Sequence, residues 1–296
     1  MKTDKKLSVI TICYNIKEEI ERTCQSIVAQ TSRDFEWVVI DGGSTDGTVD
    51  ILNKYKDHID VFVSEPDKGI YNAMNKGIRL AHGEWLNFMN GGDEFADKDV
   101  VADFLAYDTS DVDIVYGNCN TISATGKISL KKFCDVLNKN FFYNGITINH
   151  QASFIRHLLF DKYGMYSEEY KLVSDWEKWI VFAENNCIFQ HWNRTVSNFY
   201  LGGTSDKLQH LHNEEIRYIC LKYFTKEDMR NIPPRQCRFY LFNFLPFLFI
   251  KYKSEQGICS AKLFNFFPLY KIVSNGFSSQ IYLFHFLPLL KILKKF

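Results

Sequence analysis

The N-terminal third of the chain alternates short apolar runs with segments of helical periodicity. The runs Leu7 to Cys13, Phe35 to Ile40 and Asp60 to Ser64 are rich in β-branched and aromatic residues, as buried strands are. After the runs apolar residues recur every three or four positions, and beyond the third run this spacing predicts a helix over Ile70 to Ala81 that ends at Gly83. Alternating strands and helices predict an α/β fold, a mainly parallel sheet flanked by helices.

Polar residues stand where the predicted strands stop. Tyr14 and Asn15 follow the first strand, Asp41 ends the second, and an Asn-Gly-Gly-Asp segment at 90–93 follows a fourth that begins near Trp85. Because ligands bind at the carboxyl ends of parallel strands, these residues are candidates for one site. Asn, Gly and Asp are also the ordinary residues of turns, so plain strand-to-turn junctions are the alternative.

The composition limits the class of protein. The 296 residues are enough for one large α/β domain or two ordinary domains. The 35 basic and 35 acidic residues balance, so the overall charge predicts no nucleic-acid partner. The eight cysteines form no CxxC pair, and the N-terminus lacks the apolar region of a signal peptide. These features predict a cytoplasmic protein without a disulfide framework or structural zinc.

Four sequence blocks occur in order along the first part of the chain: VITICYN at 9–15, DGGSTDGT at 41–48, SEPDKGIYNAMNKG at 64–77 and LNFMNGGD at 86–93. Together they resemble family 2 glycosyltransferases of the GT-A fold, and more narrowly the bacterial enzymes that build capsule, O-antigen or exopolysaccharide units. The resemblance implies a Rossmann-like GT-A catalytic domain over residues 1–205, with a nucleotide-sugar half at 1–95 and an acceptor half at 96–205. Residues 206–240 are expected to form a flexible loop and a helix.

The resemblance also implies where a nucleotide-sugar donor binds. It assigns Asp41 to the imide of uracil, which implies a UDP-sugar; the alternative is a turn carboxylate, the role preferred for Asp46. Lys68 would face the diphosphate or the sugar near a helix start, and its alternative is a solvated loop lysine. The donor-binding residues implied in this way are Thr11, Tyr14, Asn15, Asp41, Lys68, Asn90, Gly91 and Gly92, with Asp67 as a further candidate.

Asp93 corresponds to the last carboxylate of the family's Asp-X-Asp metal motif. The segment here reads Asn-Gly-Gly-Asp, so one metal-binding carboxylate remains. Mg²⁺ commonly binds one or two protein carboxylates and completes its shell with substrate phosphates. The resemblance therefore implies Mn²⁺ or Mg²⁺ that arrives with the nucleotide.

Asp175 matches the family's catalytic base. That carboxylate removes the proton of the acceptor hydroxyl as it attacks the anomeric carbon, which inverts the configuration. Ser174 is expected to cap the helix, and desolvation beside Trp176 is expected to raise the pKa of Asp175. An N-terminal helix carboxylate facing the dipole is the alternative. Glu177 is the fallback base, and His150 is a further candidate whose alternative is a buried structural histidine.

The glycine pair before Thr204 resembles the loop that folds over the donor, so Gly203 is a candidate site residue. No Gln-X-X-Arg-Trp motif follows, and the chain holds no set of long apolar spans. Both observations argue against a processive polymer synthase and predict the addition of one sugar.

The C-terminal tail, 241–296, repeats a short apolar motif: FNFLPF at 242, FNFFPL at 264 and FHFLPL at 284, spaced by 22 and 20 residues. The tail holds seven basic residues and one acidic residue. Its apolar runs are cut by proline and fall short of the roughly 20 residues that span a bilayer. A helical, aromatic-rich and amphipathic tail on a membrane surface is therefore expected. Packing on the catalytic domain or on a second subunit is the alternative.

The resemblance implies an inverting, non-processive, metal-dependent hexosyl- or N-acetylhexosaminyltransferase of surface polysaccharide biosynthesis. The expected donor is a UDP-sugar and the expected acceptor a polyprenyl-diphosphate-linked saccharide at the inner face of the plasma membrane, with a homodimer compatible with the sequence. A nucleotidyltransferase would need a glycine-rich basic signature near the N-terminus, which is absent. A non-catalytic nucleotide-binding scaffold that docks a partner through its tail would require Asp175 to lie away from the cleft.

Overall fold

The computed structural model describes residues 5–135, 137–203, 207–225 and 227–228, with only the backbone at 144, and the backbone of six strands within 235–293. The chain divides into two compact units, Met1–Tyr223 and Phe224–Phe296. The sequence placed boundaries at 205 and 240 instead. The helix after residue 208 thus belongs to the first unit.

The first unit alternates strands and helices over most of its length. Its strands are β1 (Leu7–Cys13), β2 (Phe35–Asp41), β3 (Val61–Ser64), β4 (Trp85–Phe88), β5 (Glu94–Phe95), β6 (Ile114–Ile122), β7 (Ile128–Lys131), β8 (Ser153–Arg156) and β9 (Phe189–Tyr200). Its α-helices are α1 (Lys17–Val28), α2 (Thr48–Asn53), α3 (Ile70–Leu80), α4 (Val100–Ala106), α5 (Leu158–Tyr163), α6 (Ser174–Glu184) and α7 (Gln209–Tyr223). Short 3-10 helices lie at Lys56–His58, Lys139–Gly145 and His150–Ala152.

The strands of this unit form one mixed sheet in the order β3-β2-β1-β4-β8-β6-β9-β5, with β7 paired to β6. Strands β1 to β4 pair in parallel, which confirms the predicted βαβ half. Strand β8 runs antiparallel to both β4 and β6, and β9 runs parallel to β6. The second half is therefore mixed, so the expected mainly parallel sheet holds for the N-terminal half.

The strands of the parallel half are covered by helices on both faces, and this explains their continuous apolar sequence. Every residue of β1 and β2 is buried, as the continuous apolar runs predict for strands covered by helices on both sides. Helix α1 turns Ile20, Cys24 and Ile27 inward, the predicted helical spacing. The predicted helix over 70–81 is observed as α3.

Helix α3 lies unusually close to the sheet at Gly77. A Cβ atom there would stand 2.5 Å from Cγ2 of Ile10 on β1. Glycine lets the helix approach, and the approach fixes where the first turn of α3 meets the carboxyl edge of the sheet. That first turn carries Tyr71, which enters the site described below.

The second unit is an antiparallel meander of six strands, each paired with its neighbours in the chain. They are β10 (Arg235–Leu241), β11 (Leu245–Lys253), β12 (Ile258–Leu263), β13 (Phe267–Ser274), β14 (Ser278–Leu283) and β15 (Leu287–Leu293).

The observed strands correct the expectation of a helical tail. Proline would break a helix interior but is tolerated near the start of a strand, where Pro246, Pro268 and Pro288 stand. Each of these prolines pairs next to a register shift, so the 22- and 20-residue spacing marks one hairpin per repeat. The first three residues of each motif lie outside the described residues.

Within the part of the chain that the structure describes, no helix combines the length and the apolar character needed to cross a membrane.

We expect Gly77→Ala to destabilise the first unit by about 1 to 2 kcal/mol, because overpacking against Ile10 outweighs the better helix propensity of alanine. Chemical unfolding measures the change. Arg79→Ala, at an exposed position of the same helix, is the control and should stay within about 0.5 kcal/mol of the wild type. Equal stability of Gly77→Ala and wild type would contradict this account of the packing.

Candidate functional site

A cavity of about 760 Å³ opens at the carboxyl ends of β1 and β4. Residues from both halves of the first unit line it, including the segment after β4, the end of β9 and the first turns of α3 and α6. The predicted site residues that line it are Tyr14, Asp67, Asn90, Gly91, Gly92, Asp93, His150, Asp175 and Gly203. The fold thus gathers the candidates for donor, metal and base around one space.

Five predicted residues are not among those that line the cavity: Thr11, Asn15, Asp41, Lys68 and Glu177. Thr11 is buried in β1, where its hydroxyl accepts a hydrogen bond from Nε1 of Trp37 at 3.0 Å. Asn15 has a positive φ of 49° and accepts from the backbone N–H of Thr45 at 2.9 Å. Lys68 is exposed, which matches the solvated-lysine alternative.

Asp41 is fully buried, and its carboxylate holds the turn that follows β2. Its Oδ2 accepts from the backbone N–H groups of Gly43 and Ser44 at 3.1 and 2.9 Å, and from the Ser64 hydroxyl at 2.7 Å. Asp46 accepts from the N–H of the second residue after it in the same way. The turn role that was the alternative for Asp41 is the one its contacts support.

A different carboxylate reaches the cavity near Tyr14. Gly42 lies between Tyr14 and Asp67, and a Cβ atom on it would stand 2.5 Å from Oδ2 of Asp67 and 3.3 Å from the Tyr14 ring. Tyr14 is exposed on 60% of its surface. An aromatic face and a carboxylate therefore lie side by side at the rim.

Asp93 is buried at the base of the cavity with both oxygens engaged. Oδ1 accepts from the backbone N–H of Tyr200 at 2.9 Å, and Oδ2 accepts from Nε2 of Gln151 at 2.5 Å. Burial raises the pKa of Asp93 to about 6, although both hydrogen bonds oppose the shift. Gly91 lets the segment pass close to Ile16, where a side chain would collide.

The surroundings of Asp93 fit a hard divalent cation. Oδ1 of Asn90 and Oε1 of Gln151 are buried and have no hydrogen-bond partner among the described residues, and both residues line the cavity with Asp93. Carboxylate and amide oxygens suit Mg²⁺ and Mn²⁺. No three acidic, histidine or cysteine side chains of the described chain cluster to hold a metal alone. The remaining ligands would have to come from a bound phosphate.

Asp175 lies in the first turn of α6 and is held by two donors. The Tyr71 hydroxyl donates to Oδ1 at 2.7 Å, and Nδ1 of His150 lies 3.0 Å from Oδ2. Burial raises the pKa of Asp175, but the hydrogen bonds from His150 and Tyr71 outweigh burial and lower the pKa below its ordinary value. The expected increase in pKa is therefore wrong. Asp175 is ionised at neutral pH and can accept a proton.

Two details around Asp175 also differ from the expectations. Ser174 does not cap α6: the N-cap residue is Val173, and the Ser174 hydroxyl is buried without a partner among the described residues. Glu177 points to α7, where it accepts from Nζ of Lys222 at 2.8 Å and from the Tyr223 hydroxyl at 2.9 Å. Its carboxylate joins two helices.

Sequence reasoning missed two residues of the site, Tyr71 and Gln151. Tyr71 belongs to the 64–77 block, but its partner Asp175 is far away in the chain and no local pattern links them. Burial raises the pKa of Tyr71, so it stays a hydrogen-bond donor. Gln151 stands directly after the predicted His150, and that adjacency was the available signal.

Comparisons with known proteins identify the family of this chain. Residues 8–166 match the family described as Glycosyl transferase family 2. A PGL/p-HBAD biosynthesis glycosyltransferase of Mycobacterium bovis is 31% identical over 212 residues, which cover 68% of this chain and 79% of that protein. The chain therefore belongs to glycosyl transferase family 2.

Solved structures share the fold. S. aureus TarS 1-349 in complex with UDP-GlcNAc superposes with a TM-score of 0.60 at 22% identity, covering 77% of this chain and 67% of that one. The match spans 40% of the longer TarS chain. The mannosyltransferase PcManGT of Pyrobaculum calidifontis, in complex with GDP-Man and Mn²⁺, gives a TM-score of 0.52 at 14% identity, over 77% of this chain and 64% of that one. These likenesses confirm the GT-A fold.

We expect Asp93→Asn to stabilise the metal-free protein at neutral pH. Burial raises the pKa of Asp93 in the folded protein to about 6. The folded state therefore loses stability as the pH rises from about 4 to about 6 and the buried carboxyl ionises. Asparagine removes a cost of up to about 3 kcal/mol. Unfolding at pH 7.5 should show the gain and unfolding near pH 4 should show little. A destabilised variant at pH 7.5 would contradict the assigned burial.

We expect Tyr71→Phe to move the acidic limb of the activity profile to higher pH. The Tyr71 hydroxyl is one of the groups that lower the pKa of Asp175, so its loss lets that pKa rise. The pH dependence of kcat for wild type and variant measures the shift. An acidic limb that moves to lower pH, or that does not move, would contradict the claim that Tyr71 lowers the pKa of the base.

Proposed function

We propose that the protein is an inverting, non-processive glycosyltransferase that moves one sugar from a UDP-sugar to a lipid-linked saccharide in surface polysaccharide biosynthesis. The observation that carries this proposal is that Asp175 and Asp93 line one cavity although they come from different halves of the unit. The ionised carboxylate of Asp175 and the donor-side carboxylate of Asp93 line the same cavity, and this arrangement suits a displacement at an anomeric carbon.

In the proposed reaction the acceptor hydroxyl attacks the anomeric carbon from the side opposite the diphosphate. The new carbon–oxygen bond forms as the bond to the diphosphate oxygen breaks, and UDP leaves with the electron pair. The hydroxyl proton passes to Asp175, which its hydrogen bonds keep ionised beforehand. Attack from the opposite side inverts the anomeric configuration.

Asp93 would hold Mn²⁺ or Mg²⁺, whose charge stabilises the departing diphosphate when the metal is bound. Asn90, Gly91 and Gly92 shape the floor beside it. Arg22 donates from Nε to the carbonyl of Gly92 at 2.7 Å and lies over the Tyr200 ring at 4.0 Å. This arrangement keeps a fixed positive charge at the donor side of the cavity.

For the donor base, Tyr14 and Asp67 support a uracil subsite at the rim. An aromatic ring can stack on the base, and a carboxylate can accept from an imide N–H. The UDP-GlcNAc complex of TarS supports a UDP-sugar, and the GDP-Man complex of PcManGT makes a GDP-sugar the competitor to test.

The acceptor is proposed to be a polyprenyl-diphosphate-linked saccharide at the cytoplasmic face of the membrane. The cationic composition of residues 241–296 supports contact with anionic headgroups, each basic residue contributing about 1 kcal/mol. The non-catalytic scaffold would need Asp175 outside the cleft, and its place in the cavity argues against that reading.

We expect a panel of UDP-, GDP- and dTDP-sugars with Mn²⁺ to raise the thermal stability only with UDP-sugars, because a ligand that binds the native state alone stabilises it. Asp175→Asn should keep this response and lose transfer by about 10²- to 10⁴-fold.

Glu169→Gln, at an exposed position, is the matched control and should transfer sugar at the wild-type rate. Full activity of Asp175→Asn would remove the base from the mechanism. A response to nucleotide without transfer by the wild type would support the nucleotide-binding scaffold instead. No response to any nucleotide would contradict the proposed donor.

A further inference from the structure

Two residues adjacent in sequence touch the two carboxylates of the cavity. His150 and Gln151 lie in the 3-10 turn that leads into β8. Nδ1 of His150 lies 3.0 Å from Oδ2 of Asp175, and Nε2 of Gln151 lies 2.5 Å from Oδ2 of Asp93. One turn of backbone therefore contacts both the proposed base and the donor-side carboxylate.

The backbone of this turn is anchored from both sides. Oδ1 of Asn149 accepts from the N–H of Ala152 at 3.0 Å and from the Ser197 hydroxyl of β9 at 3.1 Å. On the other side, Nδ2 of Asn87 on β4 donates to the carbonyls of Gln151 and Ser153, each at 3.0 Å. All of these groups are buried or half-buried, so the turn is held to two strands of the sheet.

The hydrogen-bond partners also set the state of the His150 ring. Nδ2 of Asn90 lies 2.9 Å from Nε2 of His150, and an amide nitrogen can only donate. Nε2 therefore accepts, and the hydrogen is on Nδ1, where it donates to Asp175. Asn90 belongs to the same 90–93 segment as Asp93. Hydrogen bonds therefore connect this segment through His150 to the proposed base, Asp175.

These contacts leave Asp175 a defined orientation. With Nδ1 of His150 on one oxygen and the Tyr71 hydroxyl on the other, rotation of the carboxylate about its Cβ–Cγ bond would break both bonds. Each oxygen keeps a second lone pair for the acceptor proton. The acceptor and donor halves of the cavity are thus set relative to each other by the turn.

We propose that His150 and Gln151 are the positioning residues of this enzyme: His150 orients Asp175 toward the acceptor hydroxyl, and Gln151 fixes Asp93 on the donor side. The assignment rests on the proposed function, since it takes Asp175 as the base. Misplacement of a reacting group by about 1 Å can cost about 10²-fold in rate. His150 therefore acts on kcat, and Gln151 acts on the KM of the donor.

Asn and Gln at position 150 form a matched pair of amide variants. The side-chain nitrogen of Asn stands near the place of Nδ1, and that of Gln stands near the place of Nε2. His150→Asn therefore keeps a donor for Asp175, whereas His150→Gln moves the donor toward Asn90. We expect kcat within about tenfold of wild type for His150→Asn and about 10²-fold lower for His150→Gln, with the donor KM little changed in both.

Gln151→Met keeps the length of the side chain and removes the donor to Asp93. We expect the KM of this variant for the donor to rise by about tenfold or more while kcat changes less, because one hydrogen bond to a charged group is lost. His58→Asn, at an exposed position on the first 3-10 helix, is the control and should match wild type. Equal loss of kcat in His150→Asn and His150→Gln would overturn the proposal.

A structural readout separates this inference from the proposed function. A crystal structure of ligand-free His150→Gln should show the Asp175 carboxylate turned away from its wild-type orientation, and that of His150→Asn should not. If wild type turns over no UDP-sugar, the proposed function fails while this readout still decides the positioning. An unchanged Asp175 in His150→Gln would overturn it.

Discussion

Burial and hydrogen bonding compete at the two carboxylates of the cavity, and the outcome differs between them. Asp93 receives two hydrogen bonds from neutral donors, and burial still dominates, so its pKa rises to about 6. Asp175 is half-buried, and a histidine and a tyrosine hold its charged form. The base is therefore ready to take a proton, while the donor-side carboxylate gains from any cation that reaches it.

The sheet explains how these two environments meet. The parallel strands β1, β2 and β4 place their carboxyl ends at one edge, and their loops form the donor side. Strand β8 then runs back antiparallel beside β4, which carries the 150–152 turn to the same edge. Helix α6 completes the wall with Asp175 in its first turn. The antiparallel direction of β8 thus brings a turn of the second half to the carboxyl edge of the parallel strands.

Acidic residues close together in the sequence have different roles in the structure. Asp41 and Asp67 are both acidic residues of matched blocks, yet Asp41 saturates its oxygens within a turn and Asp67 stands at the cavity rim. Asp175 and Glu177 are two residues apart on α6, and the helical turn points them to different neighbours. In the tail, too, the local pattern does not fix the structure, because a pattern of aromatic residues and prolines suits short strands as well as interrupted helices.

The sequence by itself determined the strands and helices of the N-terminal parallel half, the order of the family blocks and the carboxyl edge at which the site forms. These follow from local periodicity and from residues that end strands, which need no knowledge of distant partners. Only the tertiary structure decided which carboxylates reach the cavity, that Tyr71 and His150 hold Asp175 ionised, and that Gln151 holds Asp93. The reason is physical: the solvation of a side chain, and hence its pKa and reach, depends on groups far away in the chain that folding brings within hydrogen-bond distance.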